Sequence, residues 1–252
     1  MQQCVNVLGL DSDTVADAFT RHTRLMRQNL LRNGLENLCL TSSAFITIKN
    51  QFIKSMATFS IASYLIGIGD RHTENFLVDT TDGEVFGIDF GIAFGSGVHL
   101  ATPELMPFRL TQQIEGVIAP HPLEGAYKQT MVHTMNALRK RKSLILDTCD
   151  IFVKEPLLDW VKEAKTKLLK QSGDGSGADA SERESGHLEE LEQLAFFPRQ
   201  KILIMKDKLN GADPTKILAR ELKDSKHNNR PYHRQLLSSI RGPEGSVRRA
   251  LL

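Results

Sequence analysis

The sequence has little of what marks exported, membrane-spanning or zinc-binding proteins. It contains three cysteines, Cys4, Cys39 and Cys149, and none of them forms a Cys-x-x-Cys pair. An odd number of widely spaced cysteines predicts reduced, intracellular thiols and argues against a zinc site. The amino terminus lacks the basic-then-apolar pattern of a signal peptide. No apolar run approaches the roughly eighteen residues that a membrane-spanning helix needs.

The overall charge is also small. The formal net charge is +2, so no global field directs the chain to nucleic acid or to an anionic membrane. The basic cluster at residues 139–142 is interpreted as cations at a helix end, where they suit the helix dipole, with a nucleic-acid patch as the alternative. The apolar and charged fractions, 40% and 25%, are those of an ordinary globular protein.

The most informative stretch runs from Gly69 to Gly91. Two apolar runs in it flank Asp82-Gly83, which is a strong signal for a β-hairpin. With the hairpin centred near Asp82, Asn75 and Asp89 fall opposite each other at its open end, where paired side chains lie about 5 Å apart. An amide oxygen and a carboxylate at that separation predict a site for Mg²⁺, which favours oxygen ligands.

Asp70 lies five residues before Asn75, and Asp-Phe-Gly follows at residues 89–91. This spacing is typical of phosphoryl-transfer enzymes of the kinase type. Each residue alone has an ordinary explanation: Asp70 as a loop cap, Asn75 as a turn residue, Asp89 as a strand end. The joint pattern favours the kinase-type site, and a degenerate, inactive copy is the alternative.

At these positions the sequence resembles a known family. Gly-Asp-Arg-His-x-x-Asn at residues 69–75 and Ile-Asp-Phe-Gly at residues 88–91 resemble the catalytic loop and metal motif of the phosphatidylinositol-kinase-related protein kinases. Residues 91–96 and 103–111 are similar to the activation segment of that family. The resemblance implies an enzyme that uses ATP and Mg²⁺ to phosphorylate proteins.

The resemblance also implies roles for individual residues. Asp70 would orient or deprotonate the substrate hydroxyl, and His72 would help to stabilise charge on the transferred phosphoryl group. Asn75 and Asp89 would bind Mg²⁺.

Two apolar residues of the hairpin, Leu77 and Ile88, would line the floor of the adenine pocket by the same resemblance. Packing inside the hairpin core would explain these two residues equally well, so the sequence leaves both interpretations open.

The segment from Phe90 to Phe108 contains no Lys or Arg, and its only charged or titratable residues are His99 and Glu104. A phosphoinositide headgroup would need cations there to pair with its phosphates. The absence favours a protein hydroxyl over a lipid kinase activity. The resemblance implies Ser or Thr, commonly followed by Gln.

By resemblance the process would be repair of DNA double-strand breaks by non-homologous end joining, in the nucleus and away from membranes. DNA ends and the end-binding heterodimer would be reached through regions outside this sequence. The rival hypothesis, from a different class, is a non-catalytic module that binds proteins.

The predicted fold class is α+β and mostly helical: a protein-kinase-like carboxy-terminal lobe with a small catalytic β-hairpin. Helical periodicity predicts one helix from Asp13 to Leu31, ended by Gly34, and a central helix from Ser43 to Leu65. Further helices are predicted beyond Thr111, including 198–209 and one from Asp213 to Leu222. No strand pair or glycine loop precedes Asp70, so the amino-terminal lobe of a kinase is not expected in this sequence.

The predicted organisation is therefore a kinase lobe over residues 1–225 and a basic, disordered tail over residues 226–252. Within the lobe, the catalytic loop is 69–75, the metal motif 88–91 and the activation segment 90–111. Residues 171–187 are rich in Gly, Ser and acidic side chains and are predicted to form a flexible insert.

Overall fold

The computed structural model describes residues 21, 25, 27–99, 104, 108–153 and 199–223. The predicted insert, the predicted basic tail and most of the predicted helix from Asp13 to Leu31 lie outside these residues. The elements in chain order are α1 (Leu30–Asn37), α2 (Ser42–Ile66), β1 (Phe76–Val78), β2 (Val85–Gly87), α3 (Gln112–Ile118), α4 (Ala126–Lys140), α5 (Lys142–Val153), helical residues 199–209 (α6) and α7 (Pro214–Lys223). Short 3₁₀ turns lie at Thr73–Asn75 and Ser96–His99.

The described part of the chain is mostly helical and carries one two-stranded antiparallel sheet, as predicted. None of the helices in the described ranges is both long and apolar enough to cross a membrane. The residues fall into two compact units, one up to Thr134 together with the end of α7 from Arg220, the other from Met135 to Ala219.

Helix α2 is the centre of the first unit. The Thr41 side chain accepts a hydrogen bond from the backbone N–H of Ala44 and so caps its start, and Gly67 ends it in the left-handed conformation at φ 71°. Twelve of its 25 residues are buried, which explains why apolar residues surround its second half. The predicted helix from Ser43 to Leu65 is confirmed to within one residue at each end.

The prediction that Gly34 ends a helix is wrong. Gly34 lies inside α1, and the turn before that helix falls at residues 28–29. A glycine costs a helix about 1 kcal/mol relative to alanine, whereas burying a leucine stabilises by about 1.5–3 kcal/mol. Because Leu35 is buried and α1 packs against both α2 and α3, tertiary packing outweighs the local preference.

The hairpin is present, but its register differs from the predicted one. Leu77 pairs with Phe86, which places Asn75 opposite Ile88, and the Ile88 N–H donates to the Asn75 carbonyl oxygen at 3.1 Å. The prediction that Asn75 lies opposite Asp89 is therefore wrong by one residue.

The cause of the shift is the geometry of the turn. The Asp79 N–H donates to the Glu84 carbonyl oxygen at 2.8 Å, and the carboxylate of Asp82 accepts from the Glu84 N–H at 2.8 Å. These bonds centre the hairpin between Thr81 and Asp82 rather than on Asp82.

One face of the hairpin packs on α2. The ring of Phe76 meets that of Phe59 edge-on at 5.5 Å, and the Val85 N–H donates to the Ser55 hydroxyl at 2.9 Å. A Cβ at Gly87 would lie 2.3 Å from the Phe59 ring, so only glycine allows this close approach. The contact fixes the hairpin against the longest helix.

Two cations join α1, α2 and the end of α3. The Lys49 ammonium donates to the Ala119 carbonyl oxygen at 2.5 Å, and the Arg32 guanidinium donates to the same oxygen at 3.2 Å. Cations at a helix carboxyl end interact favourably with the helix dipole. Burial lowers the pKa of Lys49, and the nearby Arg32 charge lowers it further.

Helix α4 begins in the first unit with Tyr127 fully buried. The Tyr127 hydroxyl lies 3.0 Å from the Ser60 hydroxyl, so the polar end of the ring has a partner inside the core. Burial raises the pKa of Tyr127 to about 12, and the Ser60 bond lowers it slightly in return.

The second unit contains the end of α4, α5, α6 and most of α7. The Arg139 guanidinium donates to the Leu209 carbonyl oxygen at 2.9 Å, and the Lys142 ammonium donates to the Asn210 side chain at 3.2 Å. The predicted helices at 198–209 and from Asp213 to Leu222 are confirmed for the residues described, with α7 ending one residue later than predicted.

Candidate active site

The loop after α2 holds Asp70 in an unusual backbone conformation. Its φ is 56°, in the left-handed region that residues with a Cβ rarely adopt. Side chains bond both of its backbone polar groups: the Asp70 N–H donates to Oε2 of Glu104 at 2.5 Å, and the Asp70 carbonyl oxygen accepts from Nδ2 of Asn75 at 2.7 Å. These two bonds compensate for a strained backbone at the predicted catalytic residue.

Asn75 is buried, with 6% of its surface exposed. The 3₁₀ turn that ends at Asn75 is closed by a 3.1 Å bond from its N–H to the His72 carbonyl oxygen, and it turns the side chain back toward Asp70. Because Nδ2 is used by the Asp70 carbonyl, the acceptor atom Oδ1 is the one left to bind a ligand.

Asp89 also has a left-handed backbone, with φ at 55°. This conformation ends the regular strand two residues after Gly87, so the alternation of faces along β2 no longer fixes the direction of its side chain. One carboxylate oxygen, Oδ1, accepts from the Gly91 N–H at 3.2 Å. The residue is exposed, and its second oxygen is left for a ligand.

Arg71 connects the loop to the metal motif. Its guanidinium donates to the carbonyl oxygens of Gly69 at 2.9 Å and Ile88 at 2.7 Å, and also to that of Asp89. Its charged end lies 5.4 Å from the centre of the Phe90 ring. Only 4% of Arg71 is exposed, so this cation is a buried cross-link rather than a surface residue.

Three carboxylates influence the charge of Arg71. Burial lowers the pKa of Arg71, while the negative charges of Asp89, Asp70 and Glu104, in decreasing order, raise it again. The buried cation therefore offsets part of the repulsion among acids that a metal–nucleotide site would gather. Sequence reasoning did not single out Arg71; its position between Asp70 and His72 was a signal, but burial is not visible in a single sequence.

His72, the second predicted catalytic residue, is accessible. Its side chain is 46% exposed, and Nδ1 lies 3.9 Å from a carboxylate oxygen of Glu74, which is itself 91% exposed. The loop thus leaves the imidazole at the surface, where a ligand can reach it.

The two residues predicted for the adenine floor, Leu77 and Ile88, lie on the face of the hairpin that points away from α2. They are 50% and 42% exposed, and the paired residue Phe86 shares that face. The explanation that they form the hairpin core is therefore wrong. An exposed apolar surface beside the polar loop is left for a partner or ligand.

The polar atoms at this site fit a magnesium ion. Asn75 offers an amide oxygen and Asp89 a carboxylate oxygen, both hard ligands of the kind Mg²⁺ selects alongside water and phosphate. Among the residues described, no group of three or more His, Cys, Asp or Glu is gathered around a common point.

Part of the predicted activation segment is tied directly to the end of α2. The N–H groups of Phe94 and Gly95 donate to the carbonyl oxygens of Ile66 and Gly67 at 3.0 and 2.9 Å, and the Gly69 N–H donates to that of Ile92 at 2.9 Å. Residues 100–103 and 105–107 of this segment lie outside the described residues. The part that is described shares its backbone bonds with the catalytic loop.

Comparison with known proteins identifies the family of the chain. The family model for phosphatidylinositol 3- and 4-kinases matches residues 6–162. The chain belongs to this family. Within the family, it is homologous to part of the kinase domain of the phosphatidylinositol-kinase-related protein kinases.

Its relatives include the DNA-dependent protein kinase catalytic subunit of Dictyostelium discoideum, 41% identical over 94% of this chain and 5% of the relative. The protein of the same name from Xenopus laevis is 36% identical over 94% of this chain and 6% of its own length. The chain thus spans only about a twentieth of these relatives.

The fold is also that of a solved structure of the same family. The structure of the FAT and kinase domain of CtTel1 matches 100% of this chain and 15% of its own chain, with a TM-score of 0.64 and 21% identity. At that identity the likeness supports the fold alone. The mostly helical architecture with one hairpin is therefore that of a family kinase domain.

Proposed function

We propose that this chain forms the large-lobe part of an ATP- and Mg²⁺-dependent serine/threonine protein kinase. The proposal rests on two side-chain hydrogen bonds to the backbone of Asp70. Glu104 and Asn75 hold its strained backbone from both sides, and the Asn75 bond leaves the amide oxygen for a cation. Arg71 then joins this loop to Asp89.

Within this proposal Asp70 accepts the proton of the substrate hydroxyl or orients it. A positioned base of this kind contributes on the order of 10²–10⁴-fold to a rate. His72, exposed on the same loop, helps to balance charge on the transferred phosphoryl group. Asn75 and Asp89 would hold Mg²⁺, which neutralises charge on the nucleotide phosphates when it is bound.

The apolar face of the hairpin is the proposed contact for the adenine ring. Leu77 and Ile88 are exposed there, whereas the opposite face of the hairpin packs on α2. A flat apolar surface next to the polar phosphate site suits a nucleotide, which is apolar at one end and charged at the other.

The proposed acceptor is a Ser or Thr hydroxyl on a protein, commonly followed by Gln. The absence of Lys and Arg from Phe90 to Phe108 supports this choice over a phosphoinositide. The relatives are named DNA-dependent protein kinase, so we propose a nuclear role in repair of double-strand breaks by end joining. DNA ends and the end-binding heterodimer would be contacted by other parts of the protein.

The proposed organisation follows the sequence. Residues 1–225 form the kinase lobe, with the catalytic loop at 69–75, the metal motif at 88–91 and the activation segment at 90–111. Residues 171–187 form an insert, and residues 226–252 form a basic tail.

The test is a kinase assay in a complete enzyme. This chain replaces the 238 matching residues of the Dictyostelium relative, and transfer from ATP to a Ser-Gln peptide is measured with and without Mg²⁺. Asp89→Ala and Asp70→Asn are expected to abolish transfer. Asp147→Ala, an exposed acid on α5, is the matched control and should retain it.

The other outcomes select other functions. Transfer that survives Asp89→Ala would reject the assigned site. Phosphorylation of phosphoinositide vesicles but not of peptides would make the protein a lipid kinase. Folded protein that shows no transfer at all would favour a module that binds proteins without catalysis.

A further inference from the structure

We propose that Glu104 is a positioning residue for the phosphoryl transfer: from the activation segment it fixes the backbone, and hence the carboxylate direction, of Asp70. This inference rests on the proposed function, because Asp70 is the group that would meet the substrate hydroxyl. Glu104 itself is not proposed to contact substrate or nucleotide.

The need for such a residue follows from the conformation of Asp70. A left-handed backbone at φ 56° is uncommon for any residue with a Cβ, although Asp adopts it more readily than most, so the contacts that hold Asp70 there matter. The Asn75 amide secures the carbonyl side of Asp70, but it cannot secure the N–H side. Oε2 of Glu104 accepts that N–H at 2.5 Å, a short bond to an acceptor that can carry charge, and such bonds are the stronger class.

The structure also shows how Glu104 reaches Asp70. The Glu104 N–H donates to the Gly97 carbonyl oxygen at 3.0 Å, which anchors its backbone. A Cβ on Gly69 would lie 3.0 Å from the Gly97 Cα and 3.2 Å from Oε2 of Glu104. Two glycines therefore face each other where the carboxylate enters, and a larger residue at Gly69 would obstruct its approach.

The hydrogen bond at the Asp70 N–H therefore depends on contact between two segments of the chain: the loop after α2 and the segment that carries Glu104. If the activation segment moves away, the Asp70 N–H loses its acceptor while the Asn75 bond remains. The Asp70 backbone is then held by one side-chain hydrogen bond instead of two. The Asp70 carboxylate is then free to rotate away from the acceptor hydroxyl.

The first experiment observes the bond itself in the full 252-residue chain. The chain is labelled with ¹⁵N-aspartate, and the Asp70 amide signal is assigned by its loss in Asp70→Asn. Glu104→Ala removes the acceptor and should move this signal upfield and speed its hydrogen exchange. Glu104→Gln keeps an oxygen at the same reach and should keep most of the shift. Glu124→Ala, an exposed acid between α3 and α4, is the control and should leave the signal unchanged.

The second experiment measures the consequence in the chimeric kinase described above. Glu104→Ala should lower kcat on the order of 10- to 100-fold, the effect expected when a reacting group is misplaced by about 1 Å. The KM for ATP should change little, because Glu104 is not proposed to contact the nucleotide. Glu104→Gln should recover most of kcat, and thermal melting of each variant separates this effect from unfolding.

The outcomes are distinct. An Asp70 amide signal that is the same in Glu104→Ala and the parent chain would overturn the proposal, as would a displaced signal with unchanged kcat. A loss of kcat in Glu104→Gln with the Asp70 amide signal unmoved would also overturn it, because the carboxylate would then act on the reaction by its charge and not through the Asp70 N–H bond. If the parent chimera transfers no phosphate, the proposed function fails and the catalytic part of this inference fails with it. The amide signal would still show whether Glu104 holds Asp70.

Discussion

The side-chain amide of Asn75 donates from Nδ2 to the carbonyl oxygen of Asp70 at 2.7 Å. The bond fixes which end of the amide faces the loop, because a carbonyl can only accept. Oδ1 is then the atom available to a cation, and the order Asp-x-x-x-x-Asn acquires a structural reason: the asparagine supports the backbone of the proposed base and keeps one oxygen free for the proposed cation.

Replacing Asn75 by aspartate tests the hydrogen bond to the Asp70 carbonyl. The new carboxylate would face a carbonyl with no hydrogen to donate, so the unfolding free energy should fall by about 1–3 kcal/mol. Urea denaturation of the chain measures it, with Asn50→Asp on the exposed side of α2 as the control. An unchanged midpoint in Asn75→Asp would show that the amide is not held as described.

Replacing Arg71 by methionine removes the buried cross-link. The carbonyl oxygens of Gly69, Ile88 and Asp89 would lose their donor, and we expect a loss of about 3 kcal/mol in unfolding free energy. Arg71→Lys should recover only part of this loss, because an ammonium lacks the planar fork that spans several acceptors. Thermal or urea unfolding measures both, and Arg141→Met at an exposed position is the control. Full recovery by lysine would mean that charge alone matters.

Two glycine-to-alanine changes should have opposite signs. Gly87→Ala places a methyl group 2.3 Å from the Phe59 ring and should destabilise by about 1–3 kcal/mol. Gly34→Ala lies inside α1 with no atom within 4 Å of the new Cβ, and should stabilise by about 0.5–1 kcal/mol. Denaturation midpoints of the two variants measure this. Combining Gly87→Ala with Phe59→Leu should restore part of the lost stability.

Lys49 should make stability depend on alkaline pH. Because its pKa is lowered in the folded state, chiefly by burial, the unfolded chain holds that proton more tightly. The unfolding free energy should therefore rise with pH from the folded pKa up to the ordinary value of 10.5.

The variant Lys49→Met isolates this contribution. The difference in unfolding free energy between the parent chain and Lys49→Met should grow in favour of the parent across that window. Lys54→Met, at an exposed position on the same helix, is measured alongside it as the control. A pH-independent difference for Lys49→Met would mean that its pKa is not lowered on folding.

Much of the fold followed from local patterns. The apolar stripe of α2 and its glycine stop gave its bounds within one residue, and Asp82-Gly83 marked the hairpin. The prediction at Gly34 was wrong because the low helix propensity of glycine costs less free energy than burial of the neighbouring Leu35 side chain contributes.

The candidate site was less accessible to sequence reasoning. A one-residue error in register moved Asn75 from Asp89 to Ile88, since side-chain bonds within the turn set the centre of the hairpin. The burial of Arg71 and the reach of Glu104 to Asp70, 34 residues away, depend on tertiary contacts that no spacing encodes.

The backbone hydrogen bonds between the end of α2 and residues 92–95 limit where an exchanged loop can begin. A Cβ at Gly67 would lie 2.5 Å from the nitrogen of Gly95. The end of α2 and the residues around Gly95 can therefore approach this closely only because residue 67 is glycine. A loop transplanted into this region from another protein should therefore begin after Gly95. A graft that starts earlier would have to bring the end of its own helix with it.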